Sequence, residues 1–336
     1  MATALGDPDH GYYRKKDPLG AAGDFITAPE ISQMFGEIVG LWCVATWQTM
    51  GAPRRFNLVE LGPGRGTLMA DLLRAARLVP EFERAARLHL VETSPALRKA
   101  QRKTLGERRV RWHDEFAQVP RAPTLVVANE FFDALPIRQF IFLDGIWRER
   151  LIDCVQDEFA LVAGPPLLGD LPWGCHGAAT DGAIAEVCPA ARSLAAAIGQ
   201  LVTQNGGAAL IIDYGPTRSG YGDSLQAVRG HRYHPPLADP GEADLTAHVD
   251  FQALAEAAAP AVAHGPVAQG LWLRRLGIEM RAAALAQANP SKAGEVALAC
   301  RRLIAPSEMG TLFKVLAIAA PNLPTLPGIA DEEGRR

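Results

Sequence analysis

Cysteine is scarce and odd in number in this 336-residue chain: Cys43, Cys154, Cys175, Cys188 and Cys300 are the five, none in a C-x-x-C pair. That pattern argues against a disulfide framework and a zinc-type ligand set, and predicts buried, reduced thiols. Cys175 and His176 are adjacent but have no second pair to complete a site, so no metal is expected. Neither sign of charge dominates. The 34 Lys and Arg against 37 Asp and Glu leave a net charge of −3, too little to draw the whole chain toward nucleic acid or an anionic membrane. No nucleic-acid partner is expected. Long apolar runs are missing as well. The longest, Ile38 to Trp47, is too short to span a bilayer, so membrane insertion is not expected. The opening MATALGDPDHGYYRKKDP has neither the apolar core of a secretory signal nor the Arg/Ser-rich pattern of a transit peptide. A cytoplasmic protein is expected. Internal repeats are absent, and nothing in the pattern specifies an oligomeric state.

About half of the residues are apolar, enough for one large core, or for one core with a substantial appendage. Thr27-Ala-Pro-Glu30 reads as a capping box that opens a helix through Met34, Phe35, Ile38, Leu41, Trp42 and Ala45, ending near Gly51-Ala-Pro53. Strand–turn–helix units follow. Strands are expected at Phe56–Leu61, Leu88–Val91, Val110–Trp112 and Thr124–Ala128, with a helix through Leu68, Leu72, Leu73 and Ala76 after the first and one over Pro95–Leu105 after the second. Ile137–Leu143 and Ile146–Val155 around Asp144-Gly145 read as a β-hairpin. Pro/Gly-rich loops are expected over 164–182, a helix over Ala183–Gln204, a strand over Ala208–Ile212 and a long functional loop or lid over 215–243. Helices over Val249–Ala258 and Leu271–Leu303, with strands at Val262–Gln269 and Gly310–Ile318, complete seven strands. The expected fold is α/β, a doubly wound and mostly parallel sheet. Residues 1–52 form an N-terminal helical cap or lid, and 53–320 a domain with insertions at about 137–182 and 215–245. A flexible tail, 321–336, follows.

Val59-Glu60-Leu61-Gly62-Pro63-Gly64-Arg65-Gly66-Thr67 lies at the first strand–helix turn. Glycines there let backbone approach a ligand, and the helix offers free amides. A dinucleotide fingerprint needs a third glycine where Thr67 stands. The spacing G-x-G-x-G, with an acid two residues ahead, is instead the one associated with methyltransferases, whose ligand carries no pyrophosphate. The expected cradle is Glu60, Gly62, Pro63, Gly64, Gly66 and Thr67. At the end of the second strand, Glu92-Thr93-Ser94 puts a carboxylate where ribose hydroxyls would lie. Asp114 and Glu115 after the third could meet an adenine amino group; for all three acids the alternative is a solvated strand end.

The fourth strand ends in Asn129-Glu130-Phe131-Phe132-Asp133-Ala134-Leu135-Pro136, facing the same crevice. This is not the [DN]-P-P-[YFW] of amino-directed nucleic-acid methyltransferases, which counts against a base as acceptor. Two carboxylates suit a guanidinium, which stays protonated and must be held as a cation. Carboxylates can bind its fork and take the released proton. Glu130 is expected as the main anchor and Asp133 as a second; the alternative has Asp133 capping a short helix. Asp213-Tyr214-Gly215 can border the crevice. His248 is a candidate base, with packing beside a helix cap at Thr246 or Asp250 as the alternative.

With these motifs the chain resembles the MidA family, the mitochondrial complex I assembly methyltransferases and their bacterial relatives. The resemblance rests on Gly11-Tyr-Tyr13, Gly23 to Gln33 with Phe35-Gly-Glu37, Val59 to Leu68, Val91 to Pro95, Asn129 to Pro136, Ile212 to Gly215, Leu237 to Phe251 and Met309 to Leu316. It implies a Rossmann-like class I methyltransferase fold with S-adenosyl-L-methionine as donor. For mitochondrial members it implies symmetric dimethylation of an arginine on a complex I subunit, so a protein substrate is expected. Gly62, Gly64, Gly66 and Glu92 carry over as donor-site residues. The stretch with Asp24, Phe25 and Thr27 is expected to close over donor or acceptor, bordered by Phe131. The chain departs from the family in beginning almost at Gly-Tyr-Tyr, and in Gly270-Leu-Trp-Leu, which replaces a more polar pattern. A nicotinamide oxidoreductase, a non-catalytic donor-binding assembly factor and a small-molecule methyltransferase are the rival readings.

Overall fold

The computed structural model describes residues 1–15, 27–169, 171 and 178–329. Two short helices, α1 (Ala2–Gly6) and α2 (Tyr12–Lys15), precede α3 (Ala28–Ile31) and α4 (Gln33–Thr49). Strand–helix units follow: β1 (Phe56–Leu61), α5 (Thr67–Ala76), α6 (Pro80–Ala85), β2 (Ala86–Val91), α7 (Pro95–Leu105), β3 (Val110–His113) and β4 (Thr124–Asn129). An inserted antiparallel sheet is built from β5 (Arg138–Leu143), β6 (Ile146–Val155), β7 (Glu158–Pro166) and β8 (Ile184–Val187). After α8 (Pro189–Asn205) and β9 (Gly207–Tyr214) comes a second insertion, β10 (Gln226–Arg229), β11 (Arg232–His234) and β12 (Asp244–Thr246). The remainder is α9 (Phe251–Ala257), β13 (Val262–Ala268), α10 (Gln269–Arg275), α11 (Ile278–Ala288), α12 (Ala293–Ile304), α13 (Met309–Leu312) and β14 (Phe313–Ala319).

The central sheet has seven strands in the order β13-β14-β9-β4-β1-β2-β3. Its β9-β4-β1-β2-β3 part is parallel, and β14 runs antiparallel to both its neighbours. Every residue of β1 and β4 is buried, as befits central strands covered on both faces. The chain leaves β1 toward β2 and β3 and returns on the other side at β4. The carboxyl ends of β1 and β4 therefore flank a switch point, where such sheets open a crevice. One core unites α4, α5, α10 and α12 with one face of the sheet, and a second unites α8 and α9 with the other.

Several expectations need correction. The capping box does not form: Thr27 makes no side-chain cap bond, and the helix breaks at Ser32. Ser32 is extended, and its hydroxyl caps a fresh helix by accepting the Met34 N–H at 3.2 Å. β7 runs into the loop expected over 164–182, and β8 takes Ile184–Val187 from the start of the helix expected over Ala183–Gln204, which begins instead at Pro189. The loop expected over 215–243 holds β10 and β11, which form a three-stranded sheet with β12. These strands are short and of mixed polarity, and the second sheet gains its apolar face from α1 and α2 through Leu5, Tyr12, Ala227 and Leu245. The single helix expected over 271–303 is divided at Gly277, where φ is +88°, and again near Pro290. Gly310 lies in α13 rather than at the start of β14. In the tail, Leu326 and Ile329 are buried in the main core. The Asp144-Gly145 turn is present, with both residues at positive φ as a two-residue hairpin loop requires.

Candidate active site

The turn from β1 into α5 is built on left-handed backbone. Gly62, Gly64 and Gly66 have φ of +59°, +52° and +81°, which side-chain-bearing residues adopt only with strain. The Gly62 N–H donates to the Val91 carbonyl at 3.0 Å, and the Gly66 N–H to Pro63 at 2.7 Å. Thr67 begins α5, and its hydroxyl donates to Glu30 Oε1 at 2.7 Å, while Arg65 lies 3.8 Å from Glu30 Oε2. Glu30, expected in a capping box, instead ties α3 onto the glycine turn.

A cavity of about 470 Å³ opens above this turn. Glu60, Gly62, Pro63, Gly64 and Thr67 line it from the first strand, Glu92, Thr93 and Asp114 from the next two, and Asn129, Glu130 and Phe131 from the fourth. Glu92 is held at both oxygens: Oε1 accepts the Ser94 N–H at 2.8 Å and Oε2 the Gln101 amide at 3.2 Å. Gln101 also donates to the Gly64 carbonyl at 2.8 Å and accepts from the Trp112 indole at 2.7 Å, so one side chain couples the glycine turn to the strand-end acid. Burial raises the pKa of Glu92. Asp114 is exposed and pairs with Arg98 at 2.8 Å. Gly66, Ser94 and Glu115 are not among the lining residues. Gly66 caps α5, Ser94 is buried as the cap of α7, and Glu115 is exposed ahead of a short 3₁₀ turn.

Two buried acceptors in this cavity are unsatisfied. Glu60 Oε2 and Asn129 Oδ1 have no hydrogen-bond partner among the described residues, although the side chains are 2% and 8% exposed. Burial pushes Glu60 up to about 8, opposed by the Met69 amide. Unpaired buried acceptors are costly, and a ligand ammonium, with three donors, would satisfy both.

The loop after β4 is shaped by Asp213, which is fully buried. Its Oδ2 accepts the N–H groups of Phe131, Phe132 and Asp133 at 3.2, 3.0 and 3.3 Å, and Oδ1 that of Tyr214 at 2.9 Å. Burial and the neighbouring Asp133 raise the Asp213 pKa, against these amides. Glu130 is thereby held at φ +49°. Its Oε1 accepts the Ala28 N–H at 2.9 Å and the Asn129 amide at 3.1 Å. Burial raises its pKa to about 7. Asp133, raised to about 6 by burial, bonds the Tyr214 hydroxyl; it is not among the residues lining the cavity. The pair expected to face one ligand is therefore divided, with Glu130 at the cavity and Asp133 behind the loop. Asp213 and Tyr214 stand behind it too. Asp24 and Phe25 lie outside the described residues; Thr27 lines the cavity.

His248 lines a second cavity, of about 420 Å³. Its ring packs edge-on against Tyr214 at 5.7 Å, its backbone N–H donates to Ser224 Oγ at 2.8 Å, and burial lowers the pKa of the imidazole. Asp250, two residues on, caps α9 through the Ala253 N–H at 2.9 Å. Residues not singled out from the sequence also line the first cavity. Leu5, Gly6 and Tyr13 roof it from the N-terminal helices, with Glu30 and Arg65 at the glycine turn. The Tyr13 hydroxyl donates to Asp244 Oδ1 at 2.8 Å, and burial with that carboxylate raises its pKa. Both residues fall within the matched family stretches, which is the signal that could have found them.

A doubly wound sheet with a glycine turn, a ribose-height carboxylate and an unpaired acceptor pair beside it defines a nucleoside-binding transferase. The family model of S-adenosyl-L-methionine-dependent methyltransferases matches residues 38–267. Relatives named protein arginine methyltransferase NDUFAF7, mitochondrial, include the Drosophila melanogaster homolog, 37% identical over 95% of this chain and 80% of that protein. The Homo sapiens protein is 34% identical over 95% of this chain and 78% of its own length. A Burkholderia thailandensis protein solved bound to S-adenosyl-homocysteine matches with a TM-score of 0.84 and 28% identity, covering 98% of this chain and 89% of that one. The chain belongs to this S-adenosyl-L-methionine-dependent methyltransferase family, which bears out the resemblance read from the sequence. Its donor is S-adenosyl-L-methionine. Among the described residues no helix is long and apolar enough to cross a membrane.

Proposed function

We propose that this methyltransferase modifies an arginine guanidinium of a protein, by symmetric dimethylation, and that the acceptor is a respiratory complex I subunit. The observation that carries the reading is Glu130: a carboxylate at the cavity wall, beside Phe131, whose two hydrogen bonds among the described residues both fall on Oε1. We assign Oε2 to a ligand cation. S-adenosyl-L-methionine would supply an electrophilic methyl group, its methyl C–S bond breaking to leave S-adenosyl-homocysteine. As the C–N bond forms, the guanidinium nitrogen gives up one proton, and Glu130, with its pKa near 7, suits that proton. Phe131 and Leu135 keep water from the reacting atoms. Asp133, Asp213 and Tyr214 act by positioning the loop.

For the donor, we propose that Glu60 and Asn129 receive the amino group and Glu92 the ribose hydroxyls. Asp114 meets the base, and the Gly62–Thr67 turn carries the remainder. The relatives' name supports arginine as acceptor; the complex I subunit follows from the family resemblance. The compartment proposed is the cytoplasm, checked by fractionation of the host. Mass spectrometry of the host's complex I subunits with and without this protein tests the whole reading: loss of one dimethylarginine supports it, and an unchanged methylation pattern removes it.

A further inference from the structure

The two cavities stand on opposite sides of one loop and carry opposite charge. Among the described residues the first is lined by Glu30, Glu60, Glu92, Asp114 and Glu130 against Arg65. The second is lined by Arg192, Arg218 and Lys314, with His248, against Glu186 and Asp250. Both carboxylates of the second are already hydrogen-bonded by neutral donors, which leave their charge in place, so three cations against two acids give this cavity an excess of one positive charge. Glu186 Oε1 accepts from Gln139 at 2.7 Å and from the Ser224 N–H at 3.0 Å, and its Oε2 from the Ser224 hydroxyl. Asp250 caps α9. Lys314 donates to the Thr311 and Leu312 carbonyls at 2.6 and 3.0 Å, contacts that orient the ammonium without neutralising it. Arg192 donates to the Ala253 carbonyl at 3.3 Å. Arg218 is exposed at the rim. Phe132 and Ile137, from the loop that presents Glu130 and Phe131 to the other side, help form the wall. The four Asp213 hydrogen bonds and the Ala247 N–H to Asp133 carbonyl bond at 3.0 Å fix that loop, so the spacing of the two cavities is built in.

We infer that the second cavity is an acceptor subsite that receives a carboxylate side chain of the protein whose arginine enters the first. This rests on the arginine reading for the first cavity alone; the anion preference of the second follows from its own lining. An arginine and a nearby acid on one extended segment are the complement of an acidic and a basic cavity separated by a loop. Opposite charges placed this way select register more than they add affinity. An extended chain advances about 3.3 Å per residue, so the favoured offset between arginine and acid reports the span between the two cavities.

The test uses the full chain with S-adenosyl-homocysteine and fluorescent glycine-rich peptides, each with one arginine and one glutamate at a varied offset, and glutamine-for-glutamate controls. One narrow range of offsets binds about tenfold tighter with glutamate, the gain of a charge-assisted hydrogen bond. Arg218→Glu and Lys314→Glu each remove most of that gain while leaving the donor's dissociation constant unchanged. No offset preference in the wild type, or a preference that survives both substitutions, overturns the inference. So does inorganic phosphate binding to the wild type without competing with the peptide. Replacing the peptide arginine with glutamine separates the two readings. If the glutamate preference persists while the arginine contributes nothing, the subsite stands and the arginine assignment falls.

Discussion

A Cβ placed on Gly62 would lie 2.6 Å from Cδ2 of Phe131. The donor turn and the loop after β4 are thus in contact at a point where only a hydrogen fits, and Gly62 is also at positive φ. Gly62→Ala combines a strained backbone with a clash against an aromatic wall, together costing about 1–3 kcal/mol. The expected outcome is a lower melting temperature and at least a roughly tenfold loss of S-adenosyl-homocysteine affinity by calorimetry. Wild-type affinity in a folded Gly62→Ala protein would mean the donor does not sit on this turn.

The acceptors of Glu60 and Asn129 that lack a partner among the described residues give a sharper test of donor orientation. If they meet the amino group, Glu60→Gln weakens S-adenosyl-homocysteine by about tenfold or more, the scale of a charged hydrogen bond. Binding of 5′-methylthioadenosine, which lacks the amino acid, stays unchanged. Equal losses for both ligands would assign Glu60 to folding rather than to the donor.

Much of this was legible in the sequence, for reasons tied to chain locality. The Phe56–Leu61 strand, its glycine turn and the Pro95–Leu105 helix follow from runs of neighbouring residues, and the observed bounds agree. So does the Glu92 strand end. What could not be read depends on distant partners. Glu30 leaves its expected cap because it accepts the hydroxyl of Thr67, 37 positions on. Asp133 withdraws from the cavity because Tyr214 and the Asp213 amide grip pull its loop inward. The strands of 226–246 become a sheet only when α1 and α2 cover them. Each is a tertiary effect that overrides a local preference.

Glu130 predicts a pH-dependent choice between donor and product. Its carboxyl, raised to about 7 by burial, is neutral below that pH and charged above it. The two ligands share adenosine and amino acid and differ by the sulfonium methyl, so their affinity ratio reports the charge beside that methyl. Preference for the cationic donor should rise through pH 7 by about tenfold, the scale of a partly screened ion pair. In Glu130→Gln the ratio should be flat with pH; an unaltered rise in that variant would place the titrating group elsewhere.

His89 and His113 predict acid sensitivity away from the site. Nδ1 of His89 lies 2.8 Å from Nε2 of His113 with the rings stacked, and burial first, then His113, lower His89 to about 4 from 6.5. A histidine whose folded pKa is depressed takes up its proton more readily when unfolded. Its stability is therefore complete above pH 6.5 and is lost as pH falls toward 4. Melting temperature should drop across that window, and less steeply in His89→Asn. An equal slope in both proteins would assign the acid sensitivity to other groups.

The most direct measurement is of the methylated product itself. Purified protein with labelled S-adenosyl-L-methionine and protein from a host lacking this chain should yield label in symmetric dimethylarginine after hydrolysis, with Glu130→Gln losing at least about a hundredfold of the rate. Label in lysine, in a small molecule, or in dimethylarginine at an undiminished rate with Glu130→Gln would contradict the account.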